Sequence, residues 1–280
     1  MSKGNAGDQR DKKVVLTGLG FGESGRWHRD RLWFANWGSQ QILAVDPVGK
    51  SEIVARVPTT LPFCFDWLPD GRLLVVSGPE ALVLRMELDG SFTTHVDLRT
   101  PSASVWNEIV VDGRGNAYVN GKGIVLIARD GTTQQVAENL AFPNGMAITP
   151  DNSTLIVAES HSNRLTAFDI EGDGSLRNRR AWADLGDGVP DGICIDVENA
   201  VWYADVPNKQ CVRIREGGEV LEKVELDRGC FSCALGASDR KTLYVLAAEW
   251  LGFPRMGEAL AARTGQLVAI EVSVPGAGWP

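Results

Sequence analysis

A pattern that returns six times is the feature of this 280-residue sequence that most restricts its fold. Each copy has a polar turn rich in Asp, Gly or Asn, followed at once by a short apolar run. The runs that follow the six turns begin at Leu32, Leu73, Ala117, Leu155, Val201 and Leu243. The copies recur about every 40 to 45 residues, a spacing typical of propeller blades.

The segments inside each copy predict β-strands throughout. A copy runs as an apolar strand, a turn, a second strand, a polar loop and a third strand such as Gln41 to Asp46. A fourth strand follows, such as Ser51 to Ala55. Short apolar runs between turn residues, with almost no helical periodicity, indicate an all-β protein. Four strands in each of six copies predict a six-bladed β-propeller, and the regular period disfavours an array of β-sandwiches.

The ends of the sequence suggest how the ring closes. Residues 1–13 are polar, lack the apolar core of a signal peptide, and are expected to form a flexible tail. Residues 14–280 are expected to form one propeller domain. Val14 to Leu16 are predicted to add an outer strand to the last blade, which Gln266 to Val274 otherwise complete.

The composition limits the partners and the compartment. A net charge of -8 argues against nucleic acids and anionic membrane surfaces as partners. No apolar run is long enough to cross a bilayer. The odd number of cysteines, five, without a secretion signal favours the reducing cytoplasm. The composition leaves a small molecule open as a partner.

Equivalent positions at the start of the innermost strands are expected to meet around the propeller axis, because those strands line the central channel. Counting back about five to seven residues from each turn gives Glu23, Phe63, Asn107, Asn144, Asp191 and Ser232. Asp191 stands between Pro190 and Gly192. Pro190 restricts the backbone, and Gly192 is expected to allow a turn that a Cβ would oppose, so Asp191 should lie on a rigid turn.

Oxygen donors dominate this set, which indicates a hard metal ion. Two carboxylates that face each other in a narrow channel repel and are costly to desolvate, and a divalent cation relieves both problems. Oxygen ligands suit Ca²⁺, Mg²⁺ or Mn²⁺ better than zinc or copper. We therefore predict a metal site at Glu23, Asn144 and Asp191. The alternative is that these Asp and Asn residues only stabilise turns, which is less easily reconciled with four oxygen donors at equivalent places.

Three segments resemble the senescence marker protein, gluconolactonase and luciferin-regenerating enzyme family of six-bladed propellers. The similarity extends from about Gly20 to Ile270. Its strongest segments are Gly22-Glu23-Ser24-Gly25-Arg26-Trp27, Phe142-Pro143-Asn144-Gly145-Met146-Ala147 and Val189-Pro190-Asp191-Gly192-Ile193. Any one of them would be weak, whereas the three together are fairly specific.

The resemblance implies both a cofactor and a reaction. It implies a divalent cation held by Glu23, Asn144 and Asp191, with Ca²⁺ first and Mg²⁺, Mn²⁺ or Zn²⁺ as alternatives. It further implies that Asn107 touches the substrate or the water of the metal, and that Asp191 is the general base of lactone hydrolysis. Serine hydrolase chemistry is not indicated, because no serine lies in a G-x-S-x-G motif.

One departure from the family concerns the substrate. Sugar lactonases of this family often carry an arginine two residues before the position of Asn107, where this sequence has Val105. The side chains predicted to contact the substrate or line the mouth are Asn107, Trp106, Phe63, Phe65, Phe142, Phe231 and Trp250. Such aromatic residues suggest a substrate less polar than an aldonolactone. Packing between blades is their alternative role, and the commoner one for most aromatic side chains.

Two further segments are expected near the metal end. The loop with His161 should return to that end, although a solvated histidine is favoured over one that contacts a ligand. The long insertion from Trp250 to Thr264 is expected to fold over one end of the ring, with a short helix at Glu258 to Arg263.

These observations favour a metal-dependent hydrolase that opens a lactone. Two other activities stay open on the same fold. One is hydrolysis of organophosphates or other esters, which the same polarising ion would support. The other is a propeller without catalysis, which binds calcium or serves as an interaction platform, because a fold does not determine a function.

Overall fold

The computed structural model describes residues 10–99 and 105–278. These residues form six four-stranded antiparallel sheets, which confirms the predicted all-β six-bladed propeller. The predicted flexible tail falls mainly on residues 1–9, outside the described residues.

The strands follow one another in chain order. The first three blades are built from β2 (Gly22–His28), β3 (Arg31–Asn36), β4 (Gln41–Val45), β5 (Ser51–Arg56); β6 (Phe63–Trp67), β7 (Leu73–Ser77), β8 (Leu82–Met86), β9 (Phe92–Asp97); and β10 (Ile109–Val111), β11 (Ala117–Asn120), β12 (Ile124–Ile127), β13 (Thr133–Ala137). The last three are built from β14 (Pro143–Ile148), β15 (Thr154–Glu159), β16 (Arg164–Ile170), β17 (Leu176–Asp184); β18 (Pro190–Ile195), β19 (Val201–Asp205), β20 (Gln210–Ile214), β21 (Val220–Glu225); and β22 (Gly229–Gly236), β23 (Thr242–Ala248), β24 (Gly265–Glu271), β1 (Lys12–Leu19).

The first strand of each blade is the innermost one. Each inner strand contacts the inner strands of the neighbouring blades, so that these six strands surround the axis. All six residues of β18 are buried, whereas the outer strand β5 has four exposed residues among six. This gradient places the start of the inner strands, and the residues predicted for the site, next to the centre of the ring.

The ring closes through its first strand. Strand β1 pairs with β24 at the outer edge of the sixth blade, with Val14 opposite Val268 and Leu16 opposite Leu267. The predicted closure is therefore confirmed, and the strand begins at Lys12, two residues before the expected boundary. Closure of this kind ties the two ends of the chain together and protects the edge of the last sheet.

The insertion in the sixth blade contains the single α-helix of the described residues. A 3-10 turn at Phe253–Arg255 leads into the helix α1 (Met256–Ala262), which begins and ends slightly before the predicted segment. The helix packs on the 3-10 turn Trp37–Ser39, and Ala259 joins a buried cluster with Phe21 and Phe231. The insertion is thus anchored on the end of the ring where the site lies.

The core consists of apolar layers between adjacent blades. One layer, for example, joins the inner faces of the first two blades through Ala35, Phe65 and Val75. All five cysteines are buried and form no disulfide. Within the described residues, no helix has the length and apolar character needed to cross a membrane.

Candidate active site

A cavity of about 700 Å³ lies at one end of the axis and brings together the oxygen donors that the sequence predicted. Glu23, Asn107, Asn144 and Asp191 all line this cavity. Glu23 and Asp191 are buried, while the two asparagines are partly exposed. Four residues that are far apart in the sequence therefore face one enclosed space.

Bulges at the start of the inner strands position two of these donors. In β14, Pro143 pairs with Glu159 but Met146 pairs with Val157, so one extra residue is accommodated around Asn144. Strand β18 has the same irregularity around Asp191, between Pro190 and Ile193. A bulge re-aims side chains relative to a regular strand, and here it directs an oxygen donor toward the axis.

The glycine after each of these donors is required by close packing. A Cβ on Gly145 would lie 2.5 Å from the Asp191 carbonyl oxygen, and a Cβ on Gly192 would lie 2.7 Å from the Ser232 Cα. Neither glycine has a φ in the left-handed region, so the expected role of Gly192 in a turn is wrong. The absence of a Cβ instead lets the inner strands of adjacent blades approach each other.

Buried side chains at the ends of the second strands fix the backbone of the donors. Asn120 donates from its amide to the Asn144 carbonyl oxygen at 2.6 Å. The Ser160 hydroxyl donates to the Pro190 carbonyl oxygen at 2.7 Å, next to Asp191. Asn107 donates to the Asn144 side-chain oxygen at 3.1 Å, which orients that amide and leaves the oxygen a second lone pair.

The two carboxylates of the cavity share an unfavourable electrostatic environment. Burial raises the pKa of the Glu23 carboxyl well above its usual range, and the charges of Asp191 and Glu108 raise it further. Burial also raises the pKa of Asp191, and the Glu108, Cys233 and Asp205 charges act in the same direction. Among the described residues, no basic side chain forms an ion pair with either group, and the Asp191 Oδ1 has no hydrogen-bond partner.

The donor set fits a divalent cation. A buried carboxylate oxygen without a partner, beside a second buried carboxylate and an oriented amide oxygen, offers three oxygen ligands to one ion. Hard cations such as Ca²⁺ and Mg²⁺ take oxygen ligands of this kind. No group of three or more His, Cys, Asp or Glu residues able to hold a metal occurs in the described part of the chain, so the candidate site depends on the amide of Asn144.

Aromatic rings surround the wider part of the cavity. The Phe21 and Phe231 rings stack with centroids 4.7 Å apart, and Trp250 meets both at 5.9 and 5.8 Å. Trp250 also contacts Phe253 at 5.1 Å in an edge-to-face geometry. The chain of rings therefore extends from the buried wall to the exposed insertion.

At the rim, an aromatic ring is held on an unfavourable backbone. Phe142 has a φ of 58°, and its side chain is 42% exposed. A left-handed conformation costs a residue of this kind about 1 kcal/mol or more, and such outliers cluster at functional sites. The His161 ring stacks on Phe142 with centroids 4.4 Å apart, so this exposed histidine lines the rim of the cavity.

Three residues predicted to contact substrate lie in the core. Phe63 and Phe65 are fully buried in the layer between the first two blades, and Trp106 is buried in the next layer. Strand β6 pairs with β7 without a register shift, so it has no bulge to turn Phe63 toward the axis. Trp106 covers Gly121, where a Cβ would lie 3.1 Å from the indole ring. These three side chains do not line the cavity.

Ser232 does not line it either. The bulge in β22 lies between Cys230 and Ser232, so Phe231 faces the cavity in this blade. The Ser232 hydroxyl instead accepts a hydrogen bond from the Gly25 N–H at 3.0 Å, which links the sixth blade to the first.

Several lining residues have no distinctive sequence signal. Phe21 and Trp37 flank the first inner and second strands, and Phe253 and Met256 belong to the insertion. Lys122 stands at the exposed rim. Only the expectation that the insertion covers this end of the ring pointed to Phe253 and Met256.

Comparison with known proteins gives a family match over most of the chain. The model of the SMP-30/gluconolactonase/LRE-like region matches residues 21–249. The matched span includes all four oxygen donors of the cavity.

Curated relatives carry lactonase names. Pentonolactonase XacC of Haloferax volcanii is 25% identical, over 94% of this chain and 95% of the relative. A 6-deoxy-6-sulfogluconolactonase of Pseudomonas putida is 27% identical, over 58% of this chain. That match spans 56% of the relative, little more than half of its length.

A solved structure shows the same fold. A protein described as a calcium-binding protein, regucalcin, from Agrobacterium tumefaciens strain C58 superposes with a TM-score of 0.79. The match covers 97% of both chains at 19% identity. At this identity the likeness supports the propeller architecture alone.

Proposed function

Because the chain belongs to the SMP-30/gluconolactonase/LRE-like family, we propose that it is a metal-dependent hydrolase that opens lactones. The proposed metal ligands are Glu23, Asn144 and Asp191, with Ca²⁺ as the expected ion. Asp191 is the proposed general base, and a small cyclic ester is the proposed substrate. The lactonase names of the relatives support this class of reaction.

One observation supports the metal site most strongly. The Asp191 Oδ1 is buried without a partner, and the nearby charges of Glu108 and Asp205 add to the cost of its ionisation. A buried carboxylate is rarely left in this state unless a cation or ligand compensates it. A catalytically inert scaffold has no need for such an arrangement at the end of its channel.

The residues of the site have separate roles in the proposed hydrolysis. A divalent cation bound at the site would polarise the lactone carbonyl and favour the negative charge that develops on its oxygen. Asp191 accepts the proton of the attacking water at a carboxylate oxygen. Asn107 orients the Asn144 amide and offers its own side-chain oxygen to the substrate or to water.

Hydrolysis in a pH-stat tests this proposal. A panel of lactones, aryl esters and organophosphate triesters is supplied to protein stripped of metal by a chelator, and Ca²⁺, Mg²⁺, Mn²⁺ and Zn²⁺ are added back separately. We expect lactone hydrolysis to disappear on chelation and to return with a hard cation. Hydrolysis that survives chelation unchanged would contradict the proposed metal dependence.

The same panel separates the alternatives. Turnover of triesters or aryl esters with no turnover of lactones would identify another ester hydrolase on this fold. Calcium binding without turnover of any compound would identify a non-catalytic calcium-binding propeller.

A further inference from the structure

We propose that the lactone opened here carries an apolar substituent, an alkyl chain or an aromatic ring, and is not polyhydroxylated. This inference rests on the proposed function for the reaction itself, but its binding part stands on the shape and chemistry of the cavity. In the bound substrate, the lactone ring lies against the oxygen donors and the substituent extends toward the rim of the cavity.

The polar and apolar parts of the cavity are segregated. Glu23 and Asp191, both buried, occupy the inner end near the axis. The walls beyond them are Phe21, Trp37 and Phe231. A ligand that reaches from the carboxylates to solvent therefore passes mostly along hydrocarbon surface.

Several exposed apolar side chains lie at the rim of the cavity. Val105, Phe142 and Phe253 are 59%, 42% and 61% exposed, and all three line the cavity. Phe142 and Phe253 lie 6.0 Å apart between ring centroids, in an edge-to-face arrangement. Exposed apolar residues that gather at the mouth of a concave site indicate a surface that a ligand covers. The volume of about 700 Å³ accommodates such a ligand beyond the lactone ring.

Polar groups along the walls beyond the oxygen donors are few, with Lys122 and His161 at the exposed rim and Ser160 buried. The single hydroxyl proton of Ser160 is donated to the Pro190 carbonyl oxygen. The His161 ring is stacked on Phe142. Hydroxyl groups on a substrate would lose their hydration against the aromatic walls without gaining partners there, which is costly. An alkyl or aryl substituent is therefore favoured over a hydroxylated one.

A homologous series of γ-lactones tests the inference. The series runs from γ-valerolactone through γ-hexalactone and γ-octalactone to γ-decalactone, with D-glucono-1,5-lactone as the polyhydroxylated comparison. We expect kcat/KM to rise about threefold for each methylene that becomes buried, with most of the change in KM. A flat series, or glucono-lactone as the best substrate, would overturn the inference.

A matched pair of valine variants locates the effect. Val105→Ser should reduce the gain per methylene, whereas Val197→Ser should leave it unchanged, because Val197 is similarly exposed, at 54%, but does not line the cavity. Phe253→Ser should reduce the gain further. Equal slopes in all these variants and the parent would place the discrimination elsewhere and contradict the assignment to this rim.

Binding separates this inference from the proposed function. Calorimetric titration of the Asp191→Asn protein with γ-decalactone and with D-glucono-1,5-lactone measures affinity without relying on turnover. Tighter binding of γ-decalactone to this variant, together with no hydrolysis of any lactone by the parent protein, would keep the apolar site and reject the lactonase. Hydrolysis confined to glucono-lactone, with no binding of γ-decalactone, would keep the lactonase and reject the apolar site.

Discussion

Two groups of buried acids lie near the propeller axis, and their surroundings differ in one respect. Glu108 and Asp66 face the guanidinium of Arg26, which donates to the Glu108 carboxylate at 3.2 Å. Glu23 and Asp191 form no ion pair within the described part of the chain. Burial raises the pKa of all four carboxyls.

The difference indicates which acids are structural. Arg26 opposes the effect of burial on Glu108 and on Asp66, and backbone N–H groups of Ile109, Val111 and Trp67 donate to these two carboxylates. For Glu23, the charges of Asp191 and Glu108 add to the effect of burial and outweigh the opposing effects of the Ser24 N–H and of Arg26. Glu108 and Asp66 thus have a counter-charge within the chain, whereas Glu23 and Asp191 form no ion pair in the described residues and are proposed to take a cation from solution.

Replacement of the proposed base should have the largest effect. Asp191→Asn retains the size of the side chain but removes proton acceptance and a charged ligand. We expect kcat/KM on the best lactone to fall about 10³-fold or more, with the circular dichroism spectrum unchanged. Asp173→Asn, in an exposed turn, is the matched control and should keep full activity. An Asp191→Asn protein with parental activity would remove this residue from the mechanism.

Removal of the Arg26 guanidinium should destabilise the folded protein, because it is the counter-charge of Glu108 and Asp66. Arg26→Met leaves Glu108 and Asp66 buried without their counter-charge, so we expect the free energy of unfolding to fall by about 3 to 5 kcal/mol in urea titrations. The control is Arg72→Met, which removes an exposed pair with Asp70 and should cost less than about 1 kcal/mol. Similar losses in both variants would mean that the buried pair has no special role.

The pH dependence of stability should show that Arg26 and the backbone N–H groups only partly offset the burial of the Asp66 carboxylate. Burial raises the pKa of Asp66 to about 6, well above that of an Asp in an unfolded chain, so the folded protein binds this proton more tightly. The resulting stability is present below the unfolded pKa and is lost as the pH rises through 6. Wild type should thus lose about 3 kcal/mol between pH 4 and pH 7 relative to Asp66→Asn. A difference between the two proteins that does not vary with pH would contradict this.

Removal of a metal bound at Glu23 and Asp191 should destabilise the protein more modestly than the loss of Arg26. At a Ca²⁺ concentration 100 times the dissociation constant, binding to the folded state adds about 2.7 kcal/mol. We expect chelation to lower the Tm of the wild type by roughly 5 °C in calorimetry. The Asp191→Asn protein should show a much smaller shift. Equal shifts in both proteins would place the stabilising ion elsewhere.

The smallest effect is expected for Glu23→Gln, whose change in stability should have opposite signs in metal-free and in Ca²⁺-saturated protein. In metal-free protein, Glu23→Gln removes one of two mutually repelling buried carboxylates, so the free energy of unfolding should rise slightly. In saturating Ca²⁺ the same variant should be less stable than wild type. Glu52→Gln, in an exposed pair with Arg31, should change neither value appreciably. A Glu23→Gln protein that is less stable without metal would show that the hydrogen bond from the Ser24 N–H to Glu23 outweighs this repulsion.

The sequence was sufficient for the architecture because each blade repeats one local pattern. The turns, the apolar runs and the closing strand near Val14 all follow from patterns that need no knowledge of distant contacts. The counting that placed Glu23, Asn144 and Asp191 at one end of the axis succeeded for the same reason.

The errors arose where a single bulge decides which way a side chain faces. Strand β6 has none, so Phe63 enters the core, and the bulge in β22 turns Phe231 rather than Ser232 to the cavity. A shift of one residue in register moves a side chain to the opposite face of its strand, and neither the composition nor the spacing of the sequence indicates such a shift. The role of Gly192 was also misjudged, because the neighbouring backbone that excludes a Cβ belongs to another blade.

Calcium titration of chelator-treated protein in an isothermal calorimeter is the decisive test of the proposed cation site. We expect one binding site per chain in the wild type and an affinity at least about tenfold weaker in Asp191→Asn. A titration without binding heat or protection against unfolding, or the same affinity in both proteins, would contradict a cation site built from these unpaired acids.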